Sequence, residues 1–170
     1  MLLSAQLHLM KSVETSIEVN VPVSTCYDQW TQFETFPSFM EGIKEVRQLD
    51  DKRLHWVAEV AGRRKEWDAE IVNEEPDMRI SWRSTSGTAN NGTVTFEPVG
   101  PDRTKIYLRM EFEPEDATET IGAALQVPDA QVKADIQRFK EFIEARQVET
   151  GAWRGRIEGG EVKEKGEQGV

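Results

Sequence analysis

The residues best suited to nucleophilic or proton-transfer chemistry are few. The 170-residue chain has two histidines, His8 and His55, and one cysteine, Cys26. His8 lies near the start of the chain. His55 belongs to a strand pattern that turns it outward, beside Asp68. No serine or cysteine is placed to be activated by either imidazole. Cys26 has no histidine nearby in sequence and reads as a small buried apolar residue. No cluster of His, Cys and Asp has metal-ligand spacing. The expectation is therefore no catalytic constellation, no metal and no cofactor. Two other groups invite attention. Arg63 and Lys65 fall on the same strand face as Trp67, nearest a turn. They read either as cations at a cavity mouth, able to polarise a ligand carbonyl or enolate, or as solvated charges at a strand end. Trp30, Trp56, Trp67 and Trp82 all fall on inward faces. They read either as walls that stack on a flat ligand or as ordinary core.

The elements that must position these residues follow from periodicity. Ile17, Val19 and Val21 alternate with polar residues, as in a strand. Pro22 suits the start of a helix. Val23, Cys26, Tyr27 and Trp30 then step as a helical stripe. Phe33, Phe36, Pro37, Phe39 and Met40 predict a proline break and a second short helix or turn. Six strand candidates follow: 43–49, 53–60, 63–73, 78–84, 92–99 and 103–113. The breaks between them include Ala61-Gly62, Glu75-Pro76-Asp77 and Asn91-Gly92.

The turn at Ala61-Gly62 fixes a register. A two-residue loop sets Trp56 opposite Trp67, Ala58 opposite Lys65 and Leu54 opposite Ala69. On the other face Glu59 meets Arg64 and His55 meets Asp68, opposite charges across from each other. A slip of one residue would scramble both faces. Met78, Ile80 and Trp82 share an inward face, as do Val94 and Phe96, and Ile106, Leu108, Met110 and Phe112. A sheet apolar on one face needs a cover. Val132, Ile136, Phe139 and Ile143 supply it, on a helix running from Asp129 to about residue 151.

Composition narrows the classes. The length suits one domain. A net charge of −10 argues against a nucleic-acid partner. No apolar run approaches the length of a membrane span, so stable membrane insertion is not expected. With a single cysteine no internal disulfide forms, which points to a cytoplasmic setting. Residues 1–10 read as a leader or an upstream start, 11–152 as the folded domain, and 153–170 as a Gly/Glu/Lys tail expected to be disordered. The acidic run 113–119 reads as a solvated linker, or as a gate over a cavity.

Three stretches carry a resemblance: Trp30-Thr-Gln-Phe-Glu-Thr-Phe-Pro-Ser-Phe-Met, Val60-Ala-Gly-Arg-Arg-Lys-Glu-Trp-Asp-Ala-Glu-Ile, and Ile80-Ser-Trp-Arg-Ser with Asn91-Gly-Thr-Val-Thr-Phe. With the element order they make residues 11–148 similar to the START-like helix-grip superfamily (SRPBCC), and within it to the bacterial polyketide cyclase/dehydrase and coenzyme-Q-binding group. The resemblance implies an α+β fold. A curved antiparallel β-sheet wraps a long C-terminal α-helix, with two short helices after the first strand. It also implies an apolar cavity between sheet and helix. No relative's catalytic residues match this chain position by position.

The expected function is binding of a small hydrophobic molecule: a lipid, a quinone or an aromatic polyketide-like ligand. The expected lining comprises Trp30, Phe36, Phe39 and Met40 from the helical region. Trp56, Trp67, Trp82, Phe96 and Met110 join from the sheet, and Phe139 and Ile143 from the long helix. Arg63 and Lys65 stand at the mouth. Two alternatives stay open: a cyclase/dehydratase, and an interaction protein whose cavity is filled by its own side chains. A homodimer is left open. Binding is favoured because the inward faces read as nearly free of titratable groups, whereas acid–base chemistry needs a positioned proton carrier.

Overall fold

The computed structural model describes residues 11–60, 62–87, 90–112 and 127–165. Strand β1 (Lys11–Val19) leads into helix α1 (Val23–Trp30) and a 3-10 helix (Phe33–Ser38). Six strands follow: β2 (Ile43–Gln48), β3 (Arg53–Val60), β4 (Arg63–Glu75), β5 (Arg79–Gly87), β6 (Asn90–Gly100) and β7 (Arg103–Phe112). Helix α2 (Val127–Arg146) and a small hairpin, β8 (Arg156–Glu158) and β9 (Glu161–Glu164), complete the order. The strands pair antiparallel in the order β1-β7-β6-β5-β4-β3-β2. The leader at 1–10 and the acidic run at 113–119 lie outside the described residues.

The β3–β4 register is the one that the turn chemistry dictates, from Val60 opposite Arg63 to Leu54 opposite Ala69. Gly62 takes a positive φ of 78° at that turn, a conformation glycine adopts without steric cost. On α2 the stripe holds: Val132, Ile136, Phe139 and Ile143 are all buried, the last two completely. Arg138 of α2 donates to the Phe39 carbonyl at 2.9 Å, tying the 3-10 helix to the long one.

Three expectations are corrected. Met78 does not share the inward face of Ile80; it sits in the turn before β5, 60% exposed. Asn91-Gly92 is not a turn but lies inside β6, with Gly92 opposite Trp82 on one side and Met110 on the other. The chain from 153 onward is not a disordered tail over its described part, 153–165. Trp153 and Ile157 are buried at 4% and 0% exposure. Strand β3 accompanies β4 only as far as Glu70, so β4 has a free edge beyond it, and β8 takes that edge at Asn73 and Glu74.

Candidate functional site

The antiparallel order gives the sheet two distinct ends. The β3–β4 and β5–β6 connections, the last residue of β7 and the start of β1 lie at one, the hairpin end. Helix α1, the β4–β5 and β6–β7 turns and the C-terminal segment lie at the other, the helical end.

The helical end is packed tight. Trp30 meets Phe36, Phe96 and Phe139 edge-on, with centroids 5.7, 6.1 and 5.0 Å apart. Tyr27 meets Phe96 in the same manner at 5.5 Å, and Phe39 meets Phe139 at 5.3 Å. Edge-to-face contacts of this kind suit the ring quadrupoles. Trp30, Phe36, Phe39, Phe96, Phe139 and Ile143, expected as cavity lining, are here core residues packed on one another, with Phe36 also edge-on to Trp56 at 5.7 Å. The C-terminal segment seals this end with polar stitches. Gln29, fully buried, donates to Thr150 and accepts from its backbone N–H. Thr31 accepts from the Trp153 backbone, and Arg154 bridges Asp28 and Asp77.

The hairpin end is built differently. Trp56, Trp82 and Met110 are only partly buried, although they face inward and touch the core. Ala58, Trp67 and Ala69 form a satellite cluster apart from the main core, with Trp56 packed against both. Trp56 and Trp67 stack at 5.9 Å and 4°. Trp82 lies flat across Gly92; a Cβ there would come within 2.3 Å of the indole. The glycine is thus what lets the ring lie against the sheet. Met40 is partly buried against the core. Lys65 opposes Ala58 and is half-buried, while Arg63 opposes Val60 and is exposed, both beside the Gly62 turn. Among the described residues, the two notable clefts lie elsewhere. One of about 460 Å³ runs over the outer face of the sheet along Ser16, Thr93, Thr95 and Tyr107. The other, about 190 Å³, sits beside Met78. Neither is bounded by the inward tryptophans. The connection 113–126, between β7 and α2, lies outside the described residues.

Sequence reasoning missed several polar groups. A β-bulge between Ile71 and Asn73 shifts the alternation by one and sets Glu74 opposite the buried Ile80. Glu74 thereby points into the core at 2% exposure. Burial, with the Asp51 charge adding to it, raises its pKa to about 9, so it is a neutral acid at pH 7. Among the described residues its Oε1 has no hydrogen-bond partner, nor has the Tyr27 hydroxyl. The inward faces are thus not free of titratable groups, and only the bulge, invisible in a period-2 pattern, puts one there. At the hairpin end the buried Trp56 Nε1 and Asn90 Oδ1 also lack hydrogen-bond partners among the described residues. Cys26 is core: burial pushes its thiol up to about 12, out of range for a thiolate nucleophile. His55 faces out, its Nδ1 2.7 Å from Asp68 and its Nε2 3.1 Å from Glu66. No group of ligands among the described residues could hold a metal ion. Nor is any helix among them long and apolar enough to cross a membrane.

Comparison with known proteins agrees with this architecture. The profile of the family described as polyketide cyclase / dehydrase and lipid transport matches residues 19–141. An uncharacterised 17.2 kDa protein from the melC2-rnhH intergenic region of Streptomyces lincolnensis is 50% identical over 149 residues, covering 87% of this chain and 99% of the relative. A crystal structure from Deinococcus radiodurans superposes with a TM-score of 0.64 at 28% identity, over 80% of this chain and 99% of the other. The ZhuI aromatase/cyclase of Streptomyces sp. R1128 is a likeness of fold, with a TM-score of 0.55 at 14% identity over 81% and 90%. With a helix-grip architecture and a profile match across most of its length, the chain belongs to the polyketide cyclase / dehydrase and lipid transport family.

Proposed function

We propose that the protein binds a small, flat, largely apolar molecule between the hairpin end of the sheet and the long helix. The observation that carries this reading is the contrast in packing among inward side chains. Phe96, Phe139 and Ile143 are spent on each other, whereas Trp56, Trp82 and Met110 face inward and remain partly exposed. Inward aromatic area left accessible to solvent is the kind of surface on which a ligand lowers the free energy most. Arg63 and Lys65, beside the Gly62 turn, would meet a polar group that projects from the mouth. The family's description, which names both lipid transport and polyketide cyclisation, is consistent with an apolar ligand. Membership alone does not choose between carriage and catalysis.

A cyclase reading needs a proton carrier beside the ligand. Glu74 is an inward acid, but it sits opposite Ile80 at the packed helical end. Its position favours binding over turnover. The test is a fluorescence titration with N-phenyl-1-naphthylamine, an apolar reporter. Saturable one-to-one binding is expected, weakened about tenfold or more by Trp82→Ala through lost stacking area. Absence of saturable binding overturns the reading. So does binding indifferent to Trp82 and Trp67 alike.

A further inference from the structure

The sheet has two edge strands, and they are finished differently. Strand β2 is short, carries a bulge between Ile43 and Glu45, and exposes Lys44 and Arg47. The Glu34 carboxylate takes its Gln48 backbone N–H at 3.1 Å. Bulges, exposed cations and covering groups are the usual protections against edge-to-edge pairing. Strand β1, at the opposite edge, is bare from Ser12 to Ser16. It pairs with β7 along all nine residues, without a bulge or a proline, and with no other described strand. The Glu18 carbonyl accepts from Lys140 of α2 at 3.0 Å, and the Asn20 N–H donates to Glu144 at 2.7 Å. The even-numbered residues thus turn their backbone groups away from β7, since the direction alternates along an antiparallel strand. Ser12, Glu14 and Ser16 present theirs on that same side, where no described residue meets them.

We infer that β1 pairs antiparallel with β1 of a second copy of this chain, about a two-fold axis through Thr15, so that the two sheets become one. Only residues on the same face can stand opposite, so the axis must pass through a residue. An axis through Thr15 aligns all nine residues of β1. Every outer pair then sets a hydroxyl against a carboxylate: Ser16 meets Glu14 and Ser12 meets Glu18, each twice. The hydroxyl donates and the carboxylate accepts. On the inner face Val13 meets Ile17, and Thr15 meets its own copy. The backbone bonds of this register fall on the even-numbered residues, the ones whose groups face outward. An axis through Glu14 or Ser16 puts Glu14 against itself or against Glu18, like charges directly opposite. An axis through Val13 or Ile17 pairs only five of the nine residues. Arg109 and Arg103, at 3.6 and 4.0 Å from Glu14 and Glu18, offset the acidic charge gathered at the seam. Edge pairing alone buries less than the roughly 1,200–2,000 Å² of a standard interface, so the dimer forms reversibly with concentration. It does not depend on the binding function proposed above.

Sedimentation velocity of the full chain over a range of concentrations should show a monomer–dimer equilibrium. Ser16→Glu sets Glu against Glu14 at two places and should raise the dimer Kd about tenfold or more. Ser16→Lys sets Lys against Glu14 at the same places and should lower it about 3- to 10-fold. Position 16 is exposed on the outer face, so neither change disturbs the core. Thr15→Cys tests the axis itself. Its two copies would stand about 4.5 Å apart at Cα, within reach of a disulfide, and oxidised glutathione should yield a covalent dimer. Ser12→Cys should not, because the axis holds its two copies far apart. The native Cys26 is buried and takes no part. A monomer at every concentration overturns the inference; slow hydrogen exchange at Ser12, Glu14 and Ser16 in that monomer would place another part of the chain on the edge. A dimer indifferent to the charge at position 16, or one cross-linked equally well through position 12, uses another surface and overturns it too.

Discussion

The two ends of this sheet solve the same problem in opposite ways. Each must cover an apolar concave face. The helical end does it with its own side chains: Trp30, Phe36, Phe96 and Phe139 interlock, and the C-terminal segment closes over them through Trp153, Ile157 and the Arg154 bridge. The hairpin end keeps Trp56, Trp82 and Met110 inward but incompletely covered, and leaves Trp56 Nε1 and Asn90 Oδ1 without partners among the described residues. On the binding function proposed above, the difference separates stability from function. Interlocked rings hold the fold, and unmatched groups on a fixed strand scaffold are where a ligand gains most. Glu74 shows that even the stable end carries a polar cost, since a carboxyl forced inward by a bulge stays neutral to survive there.

If that division is correct, the largest stability effects belong to the helical end. Trp153→Ala should destabilise the chain by about 3–5 kcal/mol in urea denaturation, as expected for a fully packed indole. A loss below about 1 kcal/mol would mean that the C-terminal segment only rests on the domain.

Next in size is a pH effect at the same end. Folded Glu74 holds its proton up to about pH 9, against an ordinary value of 4.5 when unfolded. Between these values the folded state binds more protons than the unfolded one, so stability falls as pH rises, by up to about 1.4 kcal/mol per pH unit. Glu74→Gln should flatten that slope. An unchanged slope would show that Glu74 is not the group responsible.

At the hairpin end, Gly92→Ala should cost about 1–3 kcal/mol by pushing the Trp82 ring off the sheet. It should lower reporter affinity as well. Stability lost with affinity kept would detach Trp82 from the site.

The smallest effect is on the outer face. Both nitrogens of His55 face carboxylates, which raises its pKa and favours the imidazolium. That contribution is present at and below about pH 6.5 and is lost as pH rises through the higher folded value. Thermal melts of His55→Gln between pH 6 and 9 should lack this component. Reporter binding should be indifferent to the substitution, because His55 lies on the face away from the interior.

What the sequence made legible was local. The α2 stripe and the β3–β4 register follow from spacing within a few turns or one hairpin, and both stand as expected. What it hid was set by irregularity or distance. One extra residue near Val72 inverts the parity that would have kept Glu74 outside. Asn91-Gly92 has the chemistry of a turn, yet here the glycine exists to receive an indole across the strand. Trp153 and Ile157 stand alone in a Gly- and Glu-rich stretch, so no periodicity marks them; their partners on α1 and β4 are far back in the chain. That the Trp56 N–H meets no acceptor among the described residues is a property of the interior packing and leaves no trace in the local pattern.

The division of the molecule can be read in a single experiment, because its five tryptophans fall on both sides of it. Trp30 and Trp153 are sealed at the helical end, while Trp56, Trp67 and Trp82 stand at the hairpin end. In a ¹H–¹⁵N spectrum each indole N–H gives its own signal. Titration with N-phenyl-1-naphthylamine should move the Trp56, Trp67 and Trp82 signals and leave Trp30 and Trp153 in place. Movement of Trp30 and Trp153 with the other three unmoved, or no movement at saturating probe, would contradict the account.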